Sequence, residues 1–252
     1  MKKLVGYITS GLPSKDFTVD LALSMKENGL DSLELGIPFS DPVADGEVIE
    51  LANLKVLQNG LKIDDIVDIT KQINNKIDTL WMGYFNSFYQ RGDVSGKGGF
   101  EGFLETAKEL KLSGLIIPDL PHEEANKYKE KALKNDVSLI DFIAPTHSED
   151  RIKLITKNSS KFIYLVAYAG ITGSDKVQDL TRVIENIRKY TTTDVFLGFG
   201  VNENNAKEKS QNVDGVIVGT AFVKILLDDS ISNIQKIKQI SAMVKQIKQD
   251  IN

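Results

Sequence analysis

Cysteine is missing from this sequence altogether, and with it go disulfides, thiol nucleophiles and Cys-ligated metals. Histidine is nearly missing. His122 and His147 are too few for the ligand set of a metal-dependent aldolase, and both follow expected strands, where they read as loop or partner-facing residues. There is no basic excess: the formal net charge is −4, so neither a nucleic acid nor a membrane surface is an expected partner. Long hydrophobic runs are absent too, every apolar stretch being broken by charge well short of the roughly 18 residues a membrane span requires. Met1-Lys2-Lys3 ahead of apolar residues 4–8 imitates a signal peptide. The apolar part is too short, however, and Gly11-Leu12-Pro13 ends it without a small-residue cleavage pattern, so it reads as a first strand. Pro- or Ser-rich linkers, low-complexity tracts and internal repeats are also lacking, which leaves residues 1–252 as one domain. Freedom from cysteine fits a cytoplasmic protein.

What is present is alternation. Short β-branched or aromatic runs at 4–8, 32–35, 79–84, 114–117, 138–143, 162–166, 195–197 and 215–218 are separated by segments of helical period, such as Phe17, Leu21, Met25 and Phe103, Ala107, Leu110. Ser14 is placed to cap the first helix. Strands alternating with helices imply parallel pairing through crossovers, and eight such units in about 250 residues are the size of a (β/α)8 TIM barrel. A final apolar stripe, Ile231, Ile234, Ile237, Ile240, Val244, Ile247 and Ile251, suits a helix packed on its own barrel, with partner or membrane binding as the alternatives.

In such a barrel the chemistry lies where strands end. In the second strand, period two sends Glu34 to the face opposite Leu33 and Leu35, hence inward near the mouth. Burial there favours the neutral form and raises the pKa toward that of a general acid; the alternative is a structural Glu paired with a barrel Lys or Arg. Asp45, before Gly46, is either its partner carboxylate or a plain Asp-Gly turn. Glycines cluster late in the chain: Gly170-Ile171-Thr172-Gly173, Gly198-Phe199-Gly200, and Gly219-Thr220 opening a short helix. Glycine turns after the last two strands, with a helix start beside them, suit a phosphate site. A Schiff-base aldolase would need a lysine late in an inner strand, and Lys161 precedes its strand instead.

Residues 33–46, Leu-Glu-Leu-Gly-Ile-Pro-Phe-Ser-Asp-Pro-Val-Ala-Asp-Gly, resemble the signature segment of the tryptophan synthase alpha chain family. The likeness continues through Gly83-Tyr84-Phe85-Asn86, Ile117-Pro118-Asp119-Leu120-Pro121, Tyr164, residues 169–173, residues 198–201 and Gly219-Thr220-Ala221. By resemblance, Glu34 and Asp45 are the catalytic carboxylates. Tyr164 and Thr172 stand near the catalytic Asp, Tyr7 and Tyr84 line an indole pocket, and Gly173, Gly200, Gly219 and Thr220 bind phosphate, with Thr220 where Ser is common. Gly198 joins the substrate-binding set as part of its glycine turn. Pro38 and Asp41 belong to the loop the family presents to its β subunit. The implied reaction is retro-aldol cleavage of indole-3-glycerol phosphate to indole and glyceraldehyde 3-phosphate, in an α2β2 complex. No cofactor is implied in this chain, the pyridoxal phosphate belonging to the β partner. Weakly catalytic regulatory and free-standing indole-releasing forms are the alternative activities. The sequence departs from the family at Tyr168 (usually Arg), Glu47 (Pro), Glu50 (Gln) and Ser87 (Pro), and it begins almost at its first strand, without the helix that commonly closes the barrel's base.

Overall fold

The structure, a computed structural model, describes residues 1–91, 98–167 and 180–252. Its strands are β1 (Lys3–Thr9), β2 (Ser32–Gly36), β3 (Asp78–Met82), β4 (Gly114–Ile116), β5 (Ser138–Leu139), β6 (Asp141–Ile143), β7 (Phe162–Val166), β8 (Asp194–Gly198) and β9 (Gly215–Val218). All pair in parallel, in the order β5-β4-β3-β2-β1-β9-β8-β7-β6. β5 and β6 are halves of one expected strand, parted by Ile140 alone, whose N–H still donates to the Leu115 carbonyl at 3.0 Å. The first half pairs with β4 and the second with β7. That strand therefore bridges the two ends of the sheet and closes an eight-stranded TIM barrel.

Parallel strands covered on both faces are rich in Val, Ile and Leu, and β9 (Gly-Val-Ile-Val) and β7 (Phe-Ile-Tyr-Leu-Val) show it. Helices fill the outer layer. Lys15–Glu27 begins at Ser14, whose hydroxyl accepts the Phe17 N–H at 3.3 Å, as the capping reading requires. Two helices, Glu47–Gln58 and Ile63–Ile73, follow β2, and the first of them carries the loop above the barrel mouth. The last helix, Asn233–Asp250, starts at a capping box of Ser232 and Gln235. Its stripe packs inward at Ile240, Val244, Ile247 and Ile251, while Ile234 stays exposed. Ser241 meets Ser24 at 2.7 Å, and Lys248 reaches Asp31 at 2.6 Å, so this helix is fastened to its own barrel. Among the described residues no helix is long and apolar enough to cross a membrane.

Candidate active site

β2 positions the first carboxylate. Leu33 and Leu35 turn to the helices, and Glu34 turns inward between Tyr7 of β1 and Leu80 of β3. It is fully buried, and among the described residues neither carboxylate oxygen has a hydrogen-bond partner. A structural glutamate in a barrel wall would be neutralised by a lysine or arginine; none of the described residues does this. Burial alone pushes its pKa up to about 8. A bare buried carboxylate destabilises a fold, and such groups persist chiefly where chemistry needs them.

Asp45 lies in the loop from β2 to the helix Glu47–Gln58, in a turn closed by its N–H on the Pro42 carbonyl at 2.9 Å. It is half-buried. The Tyr84 hydroxyl donates to Asp45 Oδ2 at 3.1 Å and accepts the Ala44 N–H at 2.9 Å, while the Tyr84 ring stacks on Phe39 with centroids 5.1 Å apart. Partial desolvation raises the Asp45 pKa to about 6, against the Tyr84 hydrogen bond, which lowers it. The two acids therefore sit in different environments and titrate apart, as acid–base partners must.

Both face one cavity, which is lined also by Tyr7, Tyr164, Ile49, Met82, Phe199, Gly200, Val201, Ile217, Gly219 and Thr220. A larger open groove along Leu51, Leu54 and Leu57 contains neither Glu34 nor Asp45. Two glycines make room for the tyrosines. A Cβ on Gly36 would stand 2.3 Å from the Tyr7 hydroxyl, and one on Gly198 would stand 2.3 Å from the Tyr164 ring. Burial holds both phenols above the usual range, so they remain protonated. Phe142 stacks on Tyr164 at 5.0 Å, and Phe199 meets it edge-on at 5.9 Å.

The same cavity is lined by the turn after β8 and by the start of the helix after β9. Phe199 and Gly200 both take left-handed φ, 67° and 69°, unusual for a bulky residue such as Phe199 and a mark of a turn held for a purpose. The helix Thr220–Leu227 starts at Gly219, which gives no side-chain cap, and Gly219 and Thr220 line the cavity, so the helix's N-terminal end lies at its wall. Peptide donors and a helix dipole converging on one spot are suited to an anion.

Of the residues singled out from sequence, Tyr7, Glu34, Asp45, Tyr164, Gly200, Gly219 and Thr220 meet at this cavity. Tyr84 and Gly198 stand one layer behind, the first holding Asp45 and the second accommodating Tyr164. Pro38 is half-buried and Asp41 exposed on the loop above. Thr172 and Gly173, with Tyr168, lie outside the described residues. Phe199, Ile49, Met82, Val201 and Ile217 were not singled out from sequence; for Phe199 the available signal was a bulky residue between two glycines. His122 is not a loop residue. It is buried at the start of the helix His122–Lys134, with Nδ1 3.1 Å from Asp141 Oδ1 and Nε2 2.9 Å from Asn126, because Asp141 points outward from β6 and needs partners there. Among the described residues no group of three or more His, Cys, Asp or Glu is placed to hold a metal.

Comparison with known proteins shows the family and agrees with the fold. A family model described as tryptophan synthase alpha chain matches residues 1–252. The tryptophan synthase alpha chain of Wolinella succinogenes is 55% identical, over 100% of this chain and 96% of that protein. That of Petrotoga mobilis is 34% identical, over 98% and 95%. The solved structure of tryptophan synthase subunit alpha from Campylobacter jejuni superposes with a TM-score of 0.84 at 30% identity, covering 98% of this chain and 95% of that one.

Proposed function

Since the chain belongs to the tryptophan synthase alpha chain family, we infer that this one-domain barrel cleaves indole-3-glycerol phosphate to indole and glyceraldehyde 3-phosphate, with Glu34 as acid and Asp45 as base. Its partner is the tryptophan synthase β subunit, which carries the pyridoxal phosphate, and its place of work is the cytoplasm. Pro38 and Asp41 belong to the surface turned to that partner.

Indole is a poor carbanion leaving group, so C3 must gain a proton before its bond to the glycerol carbon breaks. With a pKa of about 8, Glu34 is mostly neutral at pH 7 and can protonate C3. With a pKa of about 6, Asp45 is mostly ionised and can take the N1 proton, giving a neutral indolenine. Cleavage then sends the bond's electron pair into the ring. Asp45 returns the proton to N1, and the ionised Glu34 removes the glycerol hydroxyl proton as the aldehyde forms. Each carboxyl group ends as it began. The phosphate on Gly200, Gly219 and Thr220 anchors a part of the substrate that does not react, and that binding energy serves to position the part that does. By family resemblance, Thr172 and Gly173 join the substrate-binding set.

The observation that carries this reading is a fully buried carboxylate with no partner among the described residues, facing the same cavity as a second carboxylate and the turn at Phe199 and Gly200. It is tested by indole release from indole-3-glycerol phosphate by the purified chain, with and without β subunit. Turnover is expected in both conditions, and higher with the partner. No indole in either would leave a regulatory role alone and end the catalytic reading.

A further inference from the structure

The turn that bears the phosphate amides is itself held from behind. Gly200 presents its carbonyl to two donors, Asn205 Nδ2 at 2.9 Å and Lys209 Nζ at 2.9 Å. Asn205 is fixed in turn by its Oδ1, which accepts the Asn202 N–H at 2.9 Å. The short helix Ala206–Lys209 folds the chain back so that Lys209 reaches the turn, with Nζ 3.3 Å from where a Cβ of Gly200 would stand. In a trans peptide the C=O and N–H point in opposite directions. A Gly200 carbonyl fastened on one side therefore turns the Val201 N–H to the other, and Val201 lines the cavity. That N–H meets no acceptor among the described residues.

Lys209 is also an unbalanced charge. It is half-buried, and no carboxylate of the described residues forms an ion pair with it; desolvation lowers its pKa and the neighbouring Glu208 compensates only in part. An ammonium has three donors, and the Gly200 carbonyl takes one. Partly desolvated cations call for a counter-anion, and the cavity beside Gly200 is where the substrate's phosphate is assigned.

We propose that Lys209 is a positioning residue of the phosphate site, holding the Gly200–Val201 peptide with its N–H toward the phosphate and supplying positive charge behind it. The proposal rests on the phosphate reading given above. It makes this site more than a ring of neutral peptide dipoles: a dianionic phosphate is preferred over a neutral or singly charged group of the same size.

The test compares the parent chain with Lys209→Met and Lys209→Arg. Binding of inorganic phosphate and of indole is measured by calorimetry, and KM and kcat for indole-3-glycerol phosphate by indole release. K209M is expected to weaken phosphate binding and raise KM about tenfold, the scale of one lost charge-assisted contact. Indole binding should be retained, the loss should fall more on KM than on kcat, and K209R should recover most of it. Phosphate binding by K209M equal to the parent's would overturn the proposal. So would a parallel loss of indole and phosphate binding with a lowered melting temperature, which marks a merely structural clasp. A parent chain that binds no phosphate would refute the phosphate site itself, a result distinct from either.

Discussion

Glu34→Gln is expected to lower kcat for indole release at least a hundredfold, the scale of one general acid–base group, while making the chain more stable at pH 7. The two effects have one cause. In the unfolded chain this carboxyl ionises near its ordinary 4.5, and in the folded chain at about 8, because burial disfavours the charge. Between those values the native state binds the extra proton, so stability falls as pH rises through that window and levels off above it. At pH 7 the cost is about 3 kcal/mol, at 1.36 kcal/mol per unit. Glutamine has no charge to desolvate, although its buried amide also lacks partners, so the net gain is about 1 kcal/mol or more. Urea unfolding of parent and variant at pH 5 and pH 8 measures it: the variant's advantage should grow with pH. A variant less stable than the parent at both pH values would make Glu34 a structural residue. Opposed effects on stability and turnover are what a strained catalytic group produces.

Asp45→Asn is the second large effect. Tyr84 can still donate to the amide oxygen, and the Ala44 contact to Tyr84 is untouched, so the loop should keep its shape. The proton acceptor for N1 is gone, and turnover is expected to fall by about a hundredfold or more. Phosphate binding should persist, because the amides of Gly200, Gly219 and Thr220 belong to other loops. The fall of kcat toward acid, read at saturating substrate, should also disappear, since the group that must be ionised no longer exists. Near-normal turnover would show that Asp45 is a turn residue only, the bland reading of an Asp-Gly pair.

Much of this was legible in the sequence because it depends on local rules. Period two decided that Glu34 faces inward, alternation gave the barrel strands, and Ser14 capped the helix it precedes. The hidden parts depend on contacts between distant residues. That Glu34 has no partner among the described residues can be known only once the other strands are in place around it. From sequence Tyr84 reads as pocket lining, and its position behind Asp45 depends on a contact across 39 residues of chain. From sequence His122 reads as a loop or partner-facing residue; its burial depends on Asp141, on a strand nineteen residues on. Lys209 carried no motif. It matters because a short helix folds it back onto Gly200. The break at Ile140 likewise shows only when the barrel closes, since one strand must serve both β4 and β7.

The central claim, a neutral Glu34 working beside an ionised Asp45, is tested most directly by the pH dependence of kcat/KM for indole release. Activity should rise through the Asp45 pKa of about 6, peak near pH 7 and fall through the Glu34 pKa of about 8. A profile flat from pH 5 to 9, or one rising steadily through pH 8, would contradict it.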